Sequence, residues 1–444
     1  MTLRERLLQD PFQGYAYAYP HKTAYRHFET PKPLREAWAQ EDKSALFLYL
    51  HLPFCEMRCG FCNLFTTTNP EDGYVDRYLD ALERQADAVH AALGEFQYAR
   101  GALGGGTPTF LTVEEMARVF RMLRQSGGLR HGVPISCELS PATAEPEKIA
   151  QLREEGVTRA SIGVQSFIEP ETRTLGRPQK PAVLHTALER LSTAGFPVLN
   201  LDLIYGIEGQ TVASWLESLK AAVVYQPQEL FLYPLYVRPL TGLGRKGREA
   251  TVERLTLLRI ARNFLAEHGY RQISLRLFRH RDCPLEGSNM EDTGPSYCCQ
   301  EDGMVGLGAG ARSYTSALHY CTEYAVGRAG IRAILNDFID RPASDHALAW
   351  YGCELTPPEQ RRRYLIKSLL RADGLDAAAY ATWSSGSSWQ EDFPILQELL
   401  DAGLAEDDGR ALRLNASGME CADTIGPWLY SDEMNRRMEE YELV

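Results

Sequence analysis

The sequence has no long apolar run and no surplus of positive charge among its 444 residues. Its longest apolar-rich stretch, Ala45 to Phe54, is about half as long as a helix that crosses a bilayer. Asp and Glu outnumber Lys and Arg by 59 to 47, which gives a net charge of −12. A protein that binds nucleic acid without sequence preference needs a basic face to displace counterions from phosphate. We therefore expect neither a membrane span nor a nucleic-acid partner.

Features of exported and repetitive proteins are also lacking. The segment Met1–Asp10 does not contain the apolar core of a signal peptide, and no fixed-period repeat or low-complexity block occurs. We therefore expect a cytoplasmic protein, since a reducing compartment suits ten cysteines kept as thiols. A chain of this length exceeds what one hydrophobic core usually supports, so two domains are predicted.

Strand and helix patterns alternate through the first two-thirds of the chain. Continuous apolar runs, typical of strands in a parallel sheet, occur at residues 45–52, 96–103, 133–139, 159–165, 198–205 and 230–237, with a weaker run at 272–278. Apolar residues at helical spacing lie between these runs. The alternation predicts an α/β fold, either a barrel or an open sheet.

Polar residues and glycines collect where these predicted strands end. Residues 55–62 follow the first strand and residues 104–109 follow the second. Glu138 and Gln165 lie at the ends of the third and fourth strands, and Asp202 lies in the fifth. Barrel enzymes build their sites at the carboxyl ends of parallel strands, so we expect these groups to meet at one mouth.

Three cysteines, Cys55, Cys59 and Cys62, are spaced C-x3-C-x2-C in residues 51–62. Thiolates this close in sequence can surround one inorganic core, and a cubane iron–sulfur cluster usually takes four thiolates. Three would leave one iron open, as catalytic metal sites leave a position for substrate. The alternatives are three buried or redox cysteines, or a zinc site, which would need a fourth ligand nearby.

The cysteine spacing and its flanks resemble those of radical S-adenosylmethionine (SAM) enzymes. The flanking residues Tyr49-x-His51-x-Pro53-Phe54 and the run Gly104-Gly105-Gly106-Thr107-Pro108-Thr109 are similar to the oxygen-independent coproporphyrinogen III oxidase-like group. The resemblance implies a partial six-stranded (βα) barrel and a [4Fe-4S] cluster whose open iron chelates SAM. Reductive cleavage of SAM would give methionine and a 5′-deoxyadenosyl radical.

The same resemblance implies two groups of SAM-binding residues. Tyr49, Gly105 and Glu138 correspond to contacts with the cluster-bound SAM. A second SAM would contact Gly106, Thr107, Gln165, Arg177 and Asp202. From the residues alone, the glycine run could be a plain turn, Glu138 could form an internal salt bridge, and Asp202 could be a structural hydrogen-bonding residue.

Two departures from the family pattern bear on the substrate. The oxidase carries a fourth cysteine two residues beyond the third cluster ligand, where this chain has Leu64. The related haem chaperones carry a His-Asn-x-x-Tyr-Trp motif, which residues 294–299 do not match. Cys298 and Cys299 in that segment could join Cys283 and Cys321 in a second cluster or donate hydrogen to a substrate radical. The alternative is ordinary apolar packing.

The chain divides into four predicted segments. Residues 1–40 form an N-terminal strip near the active site, 41–280 the barrel, 281–344 a Gly-rich connection, and 345–444 a mainly α, winged-helix-like domain. Although winged-helix domains often bind DNA, this one contains 19 acidic and 9 basic side chains. Because that charge repels phosphate, we expect a substrate lid or docking surface instead.

These observations predict a radical SAM enzyme that modifies a small-molecule or peptide substrate. One SAM is expected, and two are favoured, which makes methyl or alkyl transfer the leading reaction. An electron donor such as flavodoxin or ferredoxin would supply the reductant. Oxidative decarboxylation of coproporphyrinogen III and non-catalytic haem binding or trafficking are the alternatives. The sequence names neither the substrate nor the oligomeric state.

Overall fold

The structure is a computed structural model that describes residues 2–16, 18–125, 128–247, 250, 253–284 and 302–442. Cys298 and Cys299 lie outside the described residues. The chain forms two compact units, each assembled from separate segments. The smaller unit contains residues 1–25, 255–281 and 354–441, and the larger contains residues 26–254, 282–353 and 442–444.

The described residues form eighteen strands. In chain order these are β1 Arg26–Pro33, β2 Leu46–Leu52, β3 Phe54–Cys55, β4 Thr67–Thr68, β5 Tyr98–Gly105, β6 Ile135–Leu139, β7 Val157–Gln165, β8 Val198–Tyr205, β9 Glu229–Pro234, β10 Tyr270–Gln272, β11 Leu277–His280, β12 Met304–Leu307, β13 Arg312–Tyr314, β14 Leu318–Cys321, β15 Leu348–Glu354, β16 Leu375–Asp376, β17 Ala405–Asp407 and β18 Ala411–Leu414.

Eighteen α-helices accompany them in the described residues. They are α1 Leu3–Gln9, α2 Leu34–Ala37, α3 Tyr74–Leu93, α4 Val113–Gln125, α5 Pro146–Glu154, α6 Glu169–Thr174, α7 Pro181–Thr193, α8 Val212–Val223, α9 Gly242–Arg245, α10 Arg254–Glu267, α11 Arg328–Asp340, α12 Pro357–Leu369, α13 Ala377–Trp383, α14 Trp389–Asp392, α15 Gln397–Asp401, α16 Ala416–Glu420, α17 Ala422–Trp428 and α18 Asp432–Glu439. None of the described helices is both long and apolar enough to cross a membrane.

Six parallel strands form the centre of the larger unit. Strands β2, β5, β6, β7, β8 and β9 are hydrogen-bonded in the order in which they occur along the chain. Helices α3, α4, α5, α7 and α8 lie in the connections between them, so the unit repeats a βα motif. This arrangement confirms the predicted partial (βα)6 barrel. Strand β12 extends the sheet parallel to β2, and β13 and β14 continue it antiparallel.

The periodic apolar residues identified in the sequence form the helix faces that cover this sheet. On α3 the buried side chains include Tyr78, Leu82 and Val89, and on α4 they include Val119 and Phe120. Full burial of one such side chain contributes about 1.5–3 kcal/mol. Most residues of these strands are buried, and for that reason their sequences are continuous apolar runs.

The smaller unit contains a three-stranded sheet in the order β16–β18–β17 among the helices α12 to α18. This confirms the mainly α, winged-helix-like character predicted for the C-terminal region. Buried polar contacts tie the N-terminal segment to that region. The hydroxyl of Tyr19 bonds to Glu359 and to Ser431, and the Arg363 guanidinium donates to the Tyr19 carbonyl at 2.8 Å. Tyr19 is therefore an interior side chain rather than a surface aromatic.

Candidate active site

The cysteine loop begins at the end of β2. Cys55 lies in β3, which pairs with β4, and the amide of Cys62 bonds to the carbonyl of Cys59 at 3.1 Å. All three thiols are partly exposed and form no disulfide. The Thr107 hydroxyl approaches the Cys55 sulfur at 3.8 Å, which places the glycine-rich loop beside the cysteine loop.

The three thiols are close enough to affect one another's ionisation. Burial, followed by the charge of Cys62, raises the pKa of Cys55 to about 12. Burial raises the pKa of Cys59 to about 11, although the Arg177 guanidinium opposes that shift. Three neighbouring thiolates therefore require compensating positive charge, which the irons of a cluster would supply. The residues present fit such a group.

No three His, Cys, Asp or Glu side chains of the described chain converge tightly enough to hold a single metal ion. A cubane cluster makes a different demand, because its protein thiolates bind different irons and need not meet at one point.

Three glycines clamp the cysteine loop in place. The Gly60 amide donates to the Leu175 carbonyl at 3.0 Å, and the Gly60 carbonyl accepts from the Leu243 amide at 2.7 Å. A Cβ atom on Gly60 would lie 2.7 Å from the Leu175 oxygen, and one on Gly176 or Gly242 would lie 3.0 Å from the Gly60 Cα. The loops after β7 and β9 therefore contact the cysteine loop backbone to backbone, which only glycine permits.

The run of three glycines ends β5 at a crowded position. Gly105 has a φ of +102°, and a Cβ there would lie 2.5 Å from the His51 ring. A Cβ on Gly106 would lie 2.4 Å from the Phe54 carbonyl oxygen. The Gly106 and Thr107 amides are already bonded to the carbonyls of Leu52 and Phe54, both at 2.8 Å. The glycines are thus needed for contacts within the protein, and a plain turn does not describe them.

Glu138 lies on β6 and faces the glycine run. A Cβ on Gly104 would lie 2.9 Å from the Glu138 carboxyl carbon, and the Gly105 amide donates to that carboxylate at 3.3 Å. Burial and the nearby charge of Asp202 raise the pKa of Glu138 to about 7. Within the described chain Glu138 forms no salt bridge, so the internal ion pair considered from sequence is absent there. A buried carboxylate with one donor is suited to a cationic partner.

Asp202 lies on β8, on the same side of the sheet. Its Oδ1 accepts a hydrogen bond from Asn200 Nδ2 at 2.8 Å. Burial raises the pKa of Asp202 to about 6, opposed by that hydrogen bond and by the guanidinium groups of Arg159 and Arg177. Asp202 and Glu138 are therefore two partly buried acids, and the charge of Asp202 raises the pKa of Glu138.

Gln165 and Arg177 occupy the space beside Gly163, where a side chain is lacking. Gly163 is in register with Asp202 on the neighbouring strand. A Cβ on Gly163 would lie 2.7 Å from Gln165 Nε2 and 3.0 Å from Arg177 Nη1. Gln165 has a φ of +69°, a left-handed conformation that costs about 1–3 kcal/mol for a residue with a side chain. Such strain is often found at functional sites.

The Arg177 side chain is 9% exposed, yet it makes no hydrogen bond or salt bridge to another described residue. A buried guanidinium without a hydrogen-bonding partner can bind a carboxylate through two parallel hydrogen bonds. The structure thus places Gln165, Arg177 and Asp202 near one another.

Tyr49 lies in β2 with its hydroxyl 3.5 Å from His51 Nδ1. Its ring packs against the buried cluster that contains Phe47, Met304 and Tyr314. The His51 Nε2 lies 2.8 Å from the Phe65 carbonyl, just beyond the cysteine loop. The tyrosine therefore stands one strand away from the glycine run and at the start of the segment that carries the cysteines.

A buried ion pair below this site was missed by the sequence reasoning. Arg159 on β7 and Glu229 on β9 meet with Nε and Oε2 2.7 Å apart, and both side chains are almost fully buried. The only signal in the sequence was one charged residue at the edge of each apolar run, which surface residues also produce.

Comparisons with known proteins agree with the geometry. The family described as Radical SAM superfamily matches residues 49–222, and the HemN C-terminal domain matches residues 355–420. The oxygen-independent coproporphyrinogen III oxidase of Escherichia coli (strain K12) is 28% identical over 427 residues, 91% of each chain. The heme chaperone HemW of Bacillus subtilis (strain 168) is 28% identical over 384 residues, which cover 83% of this chain and 95% of that protein.

The solved structure of coproporphyrinogen III oxidase (HemN) from Escherichia coli superposes with a TM-score of 0.80 at 24% identity, covering 95% of this chain and 97% of that one. This likeness concerns the fold. The two family matches lie in separate parts of the chain. The sequence is therefore similar, over a Radical SAM region and a HemN C-terminal region, to the group that contains the oxygen-independent coproporphyrinogen III oxidase and the heme chaperone HemW.

Proposed function

We propose that this protein holds a [4Fe-4S] cluster at Cys55, Cys59 and Cys62 and cleaves SAM reductively to modify an organic substrate. When bound, the cluster would supply the electron that converts SAM to methionine and a 5′-deoxyadenosyl radical. Tyr49, Gly105 and Glu138 would position the SAM molecule bound to the cluster. The support is the convergence of the cysteine loop, the glycine run and Glu138 at one end of the sheet.

We further propose a second SAM, held by Gly106, Thr107, Gln165, Arg177 and Asp202. One observation carries this proposal: the Arg177 side chain is buried and forms no salt bridge with a described residue, although its charge acts on both Cys59 and Asp202. The amino acid part of SAM provides a carboxylate for Arg177 and an ammonium group for Asp202.

The charge balance of the barrel interior favours cationic ligands. The buried carboxylate of Glu229 and the partly buried carboxylates of Glu138 and Asp202 face two guanidinium groups, those of Arg159 and Arg177. The interior is therefore negative when all five groups are ionised. SAM carries a sulfonium, an ammonium and a carboxylate, so each bound molecule adds one positive charge. Buried charges are tolerated when they are compensated, which supports binding of a cation here.

Methyl or alkyl transfer from the second SAM to the substrate is the reaction that we favour. Oxidative decarboxylation of a porphyrinogen is the second candidate, because the similarity to the oxidase extends over 91% of the chain. Against it stands Leu64, which is 46% exposed where the oxidase pattern has a cysteine. The substrate is therefore proposed as a small molecule or peptide, and a flavodoxin or ferredoxin of the cytoplasm as the electron donor.

Anaerobic reconstitution with iron and sulfide tests these proposals. We expect about four irons per chain, 5′-deoxyadenosine after reduction, and two SAM molecules per chain at saturation. Saturation at one SAM would contradict the second site, and S-adenosylhomocysteine would indicate methyl transfer. Turnover of coproporphyrinogen III would favour the oxidase, whereas stoichiometric haem uptake without deoxyadenosine would favour a chaperone.

Arg177→Gln provides a variant specific to the second site. It should reduce the SAM stoichiometry from two to one while the iron content stays unchanged. Arg173→Gln, an exposed residue paired with Glu169 on α6, is the matched control and should keep both SAM molecules. Loss of iron in Arg177→Gln would show that the arginine supports the cluster loop instead.

A further inference from the structure

The interior of the barrel contains a layer of polar side chains beneath the residues discussed above. Barrel interiors are usually filled by branched apolar residues. Here Ser136 is in register with Arg159, Ser161 with Asn200, and Asn200 with Glu229. All five side chains are buried.

Arg159 is held in this layer by defined contacts. Its Nε donates to Glu229 Oε2 at 2.7 Å, and its Nη1 donates to Ser136 Oγ at 3.1 Å. The guanidinium carbon lies 5.7 Å from the centre of the Phe231 ring. Strands β6, β7 and β9 therefore all contribute to the position of one cation.

The layer is hydrogen-bonded to Asp202 and is in strand register with Glu138. Asn200 donates from Nδ2 to Ser161 Oγ and to Asp202 Oδ1, both at 2.8 Å. Ser161 is in register with Glu138 on β6 as well as with Asn200 on β8. Alternate residues of a strand share a face, so Asn200 and Asp202 project to the same side.

Stability alone is a weak reason for such a pair. Removing two charges from water costs about as much as their attraction returns, and apolar residues of similar volume often stabilise a protein equally well. The position of this pair gives it another use, because its cation lies within electrostatic reach of Glu138 and of Asp202.

We propose that Arg159, held in place by Glu229 and Ser136, is a positioning residue that favours the ionised forms of Glu138 and Asp202 for the cationic part of SAM. The inference rests on the proposed function only for the identity of the ligand. Arg159 favours the charged form of both acids, whereas Glu229 opposes that of Asp202, so the two members of the pair act in opposite directions.

The other groups that face the two acids are known. Glu138 faces Asp202 on β8, Arg159 on β7 and the Gly105 amide on β5. Asp202 faces Arg159 and Arg177, Glu229 on β9 and the Asn200 amide. Since Arg177 would be occupied by a SAM carboxylate, Arg159 is the cation that stays available to both acids in the bound state.

Substitution of each member of the pair separates positioning from structural support. In Arg159→Met the titration midpoints of Glu138 and Asp202 should rise by about 1 pH unit, because each loses a nearby opposite charge. In Glu229→Gln the Asp202 midpoint should fall, and Arg159→Lys should restore most of the wild-type behaviour. Infrared spectroscopy of the ligand-free protein follows the carboxyl groups directly, with Glu138→Gln and Asp202→Asn to assign the bands.

SAM binding by equilibrium dialysis provides the second measurement. Arg159→Met should bind SAM about tenfold more weakly at pH 7 and recover at higher pH, while Glu229→Gln should bind at least as tightly as the wild type. Parallel weakening in both variants without a change in the pH midpoints would overturn the proposal, since that is the result of structural damage.

A double variant covers the case in which Arg159→Met does not fold. If Arg159→Met does not fold, the double variant Arg159→Met/Glu229→Leu removes both charges at similar volume, and the Glu138 midpoint should still rise. An unchanged Glu138 midpoint in that variant would refute the role of Arg159. The Asp202 midpoint could rise in Arg159→Met and fall in Glu229→Gln while neither the variants nor the wild type binds SAM at any pH. That result would support the positioning role and contradict the proposed function, so failure of the inference can be told apart from failure of the proposed function.

Discussion

The position of Gly106 leads to a prediction about how the glycine run supports the cysteine loop. A Cβ in Gly106→Ala would lie 2.4 Å from the Phe54 oxygen, 2.7 Å from the Leu52 oxygen and 2.8 Å from the Phe54 nitrogen. All three neighbours are backbone atoms, so no side chain can rotate away. Because comfortable contacts lie near 3.5 Å, the end of β5 would have to move about 1 Å away from β3.

That movement would break two hydrogen bonds. The amides of Gly106 and Thr107 donate to the carbonyls of Leu52 and Phe54 at 2.8 Å, and each bond contributes about 0.5–1.5 kcal/mol. With the overpacking cost of about 1–3 kcal/mol, we expect a loss of about 2–6 kcal/mol in the free energy of unfolding. Since Cys55 follows Phe54 directly, the variant should also retain less iron after reconstitution.

Chemical unfolding monitored by circular dichroism gives the stability, and iron and sulfide analysis gives the cluster content. Gly101→Ala is the matched control, because Gly101 lies in β5, the strand that leads to Gly106, and its Cβ would find only ordinary contacts, the nearest at 3.7 Å. We expect Gly101→Ala to remain near wild type in both measurements. A Gly106→Ala protein as stable and as rich in iron as Gly101→Ala would refute the reasoning.

Three further predictions concern single residues. Cys62→Ala should lose the cluster absorbance and iron, whereas Cys137→Ala should keep both, because Cys137 is fully buried in the packing of β6; equal iron in the two variants would contradict the assignment. Gln165→Gly should raise the unfolding free energy by about 1 kcal/mol by relieving its left-handed backbone, yet reduce the SAM stoichiometry; unchanged stoichiometry would exclude this side chain from the second site. The folded-state pKa values of Glu138 and Asp202 are raised to about 7 and about 6, so the stability that they contribute without ligand is complete below about pH 4 and is lost as the pH rises to about 7. Thermal unfolding across that range should show the decline, and it should be shallower in Glu138→Gln; an unaltered slope would refute the shift.

The secondary structure and the cysteine loop were predictable because their signals are local. The six parallel strands were predicted within a few residues, since each is a continuous apolar run between amphipathic helices. The spacing of Cys55, Cys59 and Cys62 lies within eight residues, so it could be interpreted before any fold was known.

Contacts between distant segments could not be predicted in this way. Arg159 and Glu229 are 70 residues apart in sequence, and their contact depends on the order of β6 to β9 and on which face each strand presents. The same holds for Gly60, Gly176 and Gly242, each of which could serve a turn. Their meeting shows instead that three loops contact one another through their backbones.

The sequence by itself determined the barrel strands, the three cysteines and the resemblance to radical SAM enzymes, because periodicity and motif spacing are properties of short segments. Only the tertiary structure decided that the first 25 residues belong to the same unit as the C-terminal region, that Arg177 is buried without an anion in the described chain, and that a charged layer underlies Glu138 and Asp202. Burial and charge compensation depend on which segments pack together. They are therefore set when parallel strands pair across long connections.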